Sequence, residues 1–66
     1  MVITLNGEEE TVKGPITLFE LLAEKRLKPE SVVVELNLDI IDKDKLHDIK
    51  IRERDVIEIL RFVGGG

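Results

Sequence analysis

Residues 2–22, VITLNGEEETVKGPITLFELL, hold a strand, a tight turn, a returning strand, a break and a helix in immediate succession. Val2, Ile3, Thr4 and Leu5 are apolar or β-branched, the types that suit a pleated, half-buried surface. Asn6-Gly7 follows, and both residues tolerate positive φ, so a two-residue hairpin is expected there. The returning strand is placed over 10–13, with Val12 turned to the core. Gly14-Pro15 then ends sheet pairing. Thr17 and Glu20 stand at the spacing of a capping box, in which each side chain satisfies the other's backbone donor. Leu18, Leu21 and Leu22 recur at i, i+3 and i+4, one buried stripe of a helix. The helix is expected to stop before Pro29, with Lys25 and Arg26 near its negative end.

Outward from that unit, Val32–Leu36 reads as a strand because three successive valines open it. A turn over 37–39 leads to a brief strand at Ile40-Ile41. The polar stretch 43–48 allows one helical turn. Ile49-Lys50-Ile51 is read as extended, 53–55 as a turn and 56–62 as the last strand. The expected fold is therefore α+β, a mixed sheet of four to five strands with one helix packed on one face. Residues 1–62 form the domain, and 63–66 are expected to be a flexible glycine tail.

Composition limits what such a domain can do. Its 66 residues leave no room for a second lobe, and a chain of this size has a thin core that uses most of its apolar side chains. With no cysteine, the chain has no disulfide, thiol nucleophile or thiolate metal site of its own. Fourteen acidic residues against ten basic ones give a net charge of −4. That charge and only two aromatic side chains, Phe19 and Phe62, argue against nucleic acid as a partner. No basic amphipathic stretch or long apolar run suggests a membrane, and the first residues lack the regions of a signal peptide. A cytoplasmic protein, monomeric when free and suited to electropositive partner surfaces, is expected.

The tail Val63-Gly64-Gly65-Gly66 carries the chemical interest. Three glycines form the narrowest peptide available, and four extended residues span roughly 13 Å. That length can feed a carboxylate into another protein's active-site channel. Terminal glycines are also commonly idle, so both readings stand at this point. In the last strand, alternation places Ile57 and Ile59 on one face and Val56, Glu58, Leu60 and Phe62 on the other. If the isoleucines face the core, Leu60 and Phe62 point outward beside the tail, joined by Val33 if Val32, Val34 and Leu36 point inward. Such a group is either a docking patch or a sheet face left half covered by a small helix.

Taken together, Asn6-Gly7 after the first strand, TLFELL at Thr17 to Leu22, Val34-Glu35-Leu36-Asn37, and Arg54-Asp55-Val56-Ile57-Glu58-Ile59 running to Phe62-Val63-Gly64-Gly65-Gly66 resemble the ThiS family. These are the small ubiquitin-like β-grasp sulfur carriers of thiamin thiazole biosynthesis. The resemblance spans essentially the whole chain; Arg54 departs from it, since the family often has glycine before the aspartate. It implies a carrier and not an enzyme. A ThiF-like adenylating enzyme would use ATP to activate the Gly66 carboxylate. A sulfur-donor relay with a cysteine desulfurase would convert it to a thiocarboxylate, and a ThiG-like thiazole synthase would receive the sulfur. Gly65 and Gly64 would give access, Leu60, Phe62 and Val33 would dock partners, and no cofactor or metal would be bound. A molybdopterin-pathway carrier, a ubiquitin-like modifier of lysines and a non-covalent interaction domain remain as alternatives.

Other constellations are weaker. His47 beside Asp48 suggests a base and its orienter, yet neighbours in sequence rarely face each other, and a solvated loop histidine is the plainer reading. Asp42 and Asp44 begin like a calcium loop but Leu46 and His47 occupy positions that such a loop cannot spare. The cations Lys43, Lys45, Lys50, Arg52 and Arg54 alternate with acids as on a solvated surface. No glycine cluster opens a helix, so none makes a phosphate loop.

Overall fold

The computed structural model describes residues 1–62. Strands β1 (Val2–Leu5), β2 (Glu8–Thr11), β3 (Val32–Leu36), β4 (Asp39–Ile41) and β5 (Val56–Arg61) form a five-stranded sheet in the order β2-β1-β5-β3-β4. Among the described residues one α-helix, α1 (Leu18–Glu24), crosses one face. β5 is central: it runs parallel to β1 and antiparallel to β3. The mixed sheet and single helix are those anticipated, with the strand count at the upper bound.

The second strand begins earlier than the sequence suggested, at Glu8 instead of residue 10. Asn6 (φ 50°) and Gly7 (φ 85°) are both left-handed, so they close a two-residue turn and Leu5 faces Glu8 directly. Three consecutive glutamates look unlike a strand, but an edge strand tolerates charge and is protected by it. Val12 is still buried, and its N–H reaches the Met1 carbonyl at 2.8 Å, extending the pairing past β2.

α1 starts where its capping box requires. Thr17 N–H donates to Glu20 Oε1 at 2.8 Å, and Glu20 N–H donates to Thr17 Oγ1 at 3.1 Å. The stripe Leu18, Leu21 and Leu22 is buried against Ile3, Val12, Ile16, Val32, Val34, Ile57 and Ile59. Lys25 caps the helix end through its backbone, while its side chain pairs with Glu10 of β2. Arg26 follows with φ 60°, the left-handed residue that commonly stops a helix.

The stretch Lys43–Asp48 is a 3₁₀ helix that buries Leu46 in the core, a contribution its polar composition hides. Ile49-Lys50-Ile51 is extended but makes only an isolated bridge: Leu18 N–H reaches Ile49 O, and Ile51 N–H reaches Ile16 O. Among the described residues, no helix is long and apolar enough to cross a membrane.

Candidate docking face at the end of the last strand

Alternation along β5 is obeyed. Ile57 and Ile59 lie under α1, and Val56, Glu58 and Leu60 are exposed on the opposite, outer face of the sheet. On β3, Val32 and Val34 are buried, leaving Val33 and Glu35 on that outer face; Leu36 is only partly buried. The antiparallel register sets Val33 directly opposite Leu60 and Glu35 directly opposite Glu58. Leu60 is 53% exposed, and Val33 is half-buried beside it. Two of the three residues read from sequence as docking candidates, Val33 and Leu60, are thus a cross-strand pair, close enough for their side chains to touch.

Phe62 stands one residue past β5 and is 61% exposed. Its N–H donates to Ser31 O at 3.0 Å, which keeps the chain in line with β3 to the end of the sheet. A shallow groove of about 270 Å³ lies there, lined by Pro29, Val33, Ile40, Lys43 and Phe62 among others. Phe62, Leu60 and Val33 therefore share one end of the sheet. Gly64, Gly65 and Gly66, the expected access peptide and reactive terminus, lie outside the described residues.

The sequence reading missed two exposed apolar side chains on the β3–β4 hairpin. Ile40 pairs with Glu35 in register and is 68% exposed. Its signal was present, because in Ile40-Ile41 one of the two must face outward. Leu38 is 88% exposed at the hairpin tip, with φ 78° after Asn37 at φ 51°. Nothing in the sequence separates it from an ordinary turn residue.

Turn residues on both sides of β5 lend it side-chain hydrogen bonds. Asn6 Oδ1 accepts Ile59 N–H at 2.8 Å, where the parallel pairing with β1 stops. Asn37 Oδ1 accepts Val56 N–H at 2.9 Å, and Asn37 Nδ2 donates to Asp55 Oδ1 at 3.1 Å. Each asparagine also serves as a turn residue, so one residue closes a hairpin and completes the ladder of the central strand. Asp55 Oδ2 holds Arg52 N–H at 2.7 Å and so fixes the turn before β5.

His47 is exposed, in keeping with the reading of a solvated histidine, and one face of its ring stacks on Phe19 with ring centroids 3.8 Å apart. It makes no hydrogen bond to Asp48 among those of the described residues. Among the described residues, no group of His, Asp and Glu side chains is arranged to hold a metal ion.

Comparison with known proteins places this geometry in context. The profile of the ThiS family matches residues 3–66. The chain is 42% identical over 66 residues to the sulfur carrier protein ThiS of Bacillus subtilis, covering 98% of this chain and all of that one. It is also 35% identical to a thiazole synthase of Paramagnetospirillum magneticum, aligning along its whole length with only 20% of that larger protein. The crystal structure of a thiamine biosynthesis protein, ThiS, from Geobacter metallireducens superposes with a TM-score of 0.84 at 33% identity, each chain fully covered. The fold is accordingly the ubiquitin-like β-grasp.

Proposed function

The chain belongs to the ThiS family, and on that premise we propose that it carries sulfur for thiazole formation on the carboxylate of Gly66. The observation that carries the reading is the family match, which spans residues 3–66 and so includes Gly66. The sheet supports it physically. β5, held on both sides by hydrogen bonds, leads from the core to Phe62, and an apolar Leu60–Val33 pair flanks its end. Partners can thus grip a hydrogen-bonded sheet surface while acting on the residues that follow it.

A carboxylate is a poor acyl donor, since its charge repels nucleophiles and oxide is a poor leaving group. In the proposed cycle the Gly66 carboxylate attacks the α-phosphorus of ATP, held by an adenylating partner, and pyrophosphate departs. The terminal sulfur of a persulfide from a desulfurase relay then attacks the acyl carbon, and AMP leaves with the bonding pair. A thiol reduces the resulting acyl disulfide and releases the thiocarboxylate. This chain supplies delivery and recognition; its partners supply the catalysis. The match to a segment of thiazole synthase favours that enzyme as acceptor over a molybdopterin pathway. Holding sulfur on a docked carrier also raises its effective concentration at the acceptor.

The test is pyrophosphate release with the adenylating enzyme and ATP, followed by intact mass measurement after the sulfur relay. Wild type should release pyrophosphate and gain the oxygen-to-sulfur increment, and a chain lacking Gly66 should do neither. Equal pyrophosphate release from both chains would overturn the assignment of Gly66.

A further inference from the structure

Glu35 and Glu58 face each other across β3 and β5 on the outer face. Directly opposed residues of an antiparallel pair hold their Cβ atoms about 4.5–5.5 Å apart, and like charges in that position destabilise a sheet. No cation relieves them: among the described residues the one ion pair joins Lys25 to Glu10, on another part of the molecule. Apolar side chains frame the pair. Leu60 and Val33 lie in the next cross-strand row, Ile40 lies beside Glu35 in its own row, and Val56 lies on the other side along β5. A solvated surface would be expected to intersperse charges of both signs, but here two carboxylates stand together with apolar side chains on three sides and the uncharged Asn6 on the β1 side.

We propose that Glu35 and Glu58 together receive one arginine side chain of the thiazole synthase that docks on this face. A guanidinium is planar and carries several donors in a fixed fork, so it can bridge neighbouring carboxylates while its flat sides rest on apolar groups. The carboxylate pair provides the charge, and Leu60, Val33 and Ile40 provide the surrounding apolar contact that excludes water. Charge selects among possible occupants. A second copy of this chain would bring two more carboxylates to the same spot. Nucleic acid and anionic lipid carry the wrong sign. Thiazole synthase is the partner class supported here, because a segment homologous to this whole chain occurs within one. The opposed glutamates cost the free carrier stability and are relieved on binding, so recognition and folding stability pull in opposite directions at this site.

This inference rests on the docking reading given above and can fail separately from it. The measurement is the Kd between the full chain and the thiazole synthase of the same organism, at low and high salt. Wild type, the double variant Glu35→Gln/Glu58→Gln and Leu60→Ala are compared, and urea unfolding is followed for each. The double variant should bind at least about tenfold more weakly at low salt and lose most of its salt dependence. It should also be as stable as wild type or more so, which separates lost recognition from lost folding. Wild-type affinity and wild-type salt dependence in the double variant would overturn the proposal. If Leu60→Ala still weakened binding in that case, docking on this face would stand without the arginine; if it did not, both would fall. Sedimentation showing that wild type covers this face by self-association would likewise overturn it.

Discussion

Asn6 Oδ1 accepts the backbone N–H of Ile59 at 2.8 Å, across 53 positions of sequence. The same asparagine takes φ 50° in the β1–β2 turn. It therefore fixes the hairpin and satisfies a partly buried donor of the central strand. Asn6→Ala removes both, and a partly buried N–H left without an acceptor costs about 1–3 kcal/mol. For a domain of this size each kcal/mol lowers Tm by roughly 4–8 °C. Urea and thermal unfolding should show that loss, while pyrophosphate release at temperatures below the transition should be retained. An unchanged midpoint would mean that solvent replaces the side chain without penalty.

Leu38 and Arg54 sit at φ 78° and 72°, where a side chain crowds its own backbone. Left-handed geometry costs a non-glycine residue about 1–2 kcal/mol, and glycine's larger freedom in the unfolded chain returns about 0.5–1 kcal/mol of that. Leu38→Gly and Arg54→Gly should each therefore raise stability by about 0.5–1 kcal/mol. The bond from Arg54 N–H to Val2 O, 2.7 Å, is a backbone contact and survives the substitution. A lower urea midpoint for either variant would show that its side chain contributes to folding in some other way.

The helix and the outward side of β5 were legible in the sequence for one reason: each rests on a short-range period. Thr17 with Glu20 and the stripe Leu18, Leu21, Leu22 specify α1 within a single turn or two. Ile57 and Ile59 specify the buried side of β5 by alternation alone, and the outward placement of Leu60 follows. What was not legible depends on pairing between distant strands. The sequence contains no sign that Glu35 meets Glu58, because that needs the register of β3 on β5. Nor does it show that β5 lies between β1 and β3, or that Asn6 and Asn37 reach it from either side. Leu46 was hidden for a different reason: one leucine among charged residues has no period, yet the 3₁₀ helix buries it.

The capping box is a local feature whose value can be measured directly. α1 has seven residues, too few for a stable helix in isolation, so its cap and its packing must hold it. Thr17→Ala should cost about 1 kcal/mol, and Thr17→Ser, which keeps the hydroxyl acceptor, close to nothing. Circular dichroism during urea unfolding measures both. Equal losses in the two variants would assign the effect to the Thr17 methyl group and not to its hydrogen bond from Glu20 N–H.

Neighbouring residues on β5 should separate stability from recognition. Ile59 is buried under α1, and Ile59→Ala should cost about 2–5 kcal/mol through lost transfer energy and the cavity left behind. Leu60, the next residue, faces outward, and Leu60→Ala should change stability by no more than about 0.5 kcal/mol. Its effect should fall on partner binding, where truncating an apolar anchor costs more than about 1 kcal/mol, or roughly fivefold in Kd. Phe62→Ala should behave like Leu60→Ala, since its ring is exposed and its backbone bond to Ser31 is retained. Unfolding and binding measured on the same protein samples decide the matter. If Leu60→Ala and Phe62→Ala unfolded early but bound thiazole synthase with wild-type affinity, the outer face would be structural surface and the docking site would lie elsewhere.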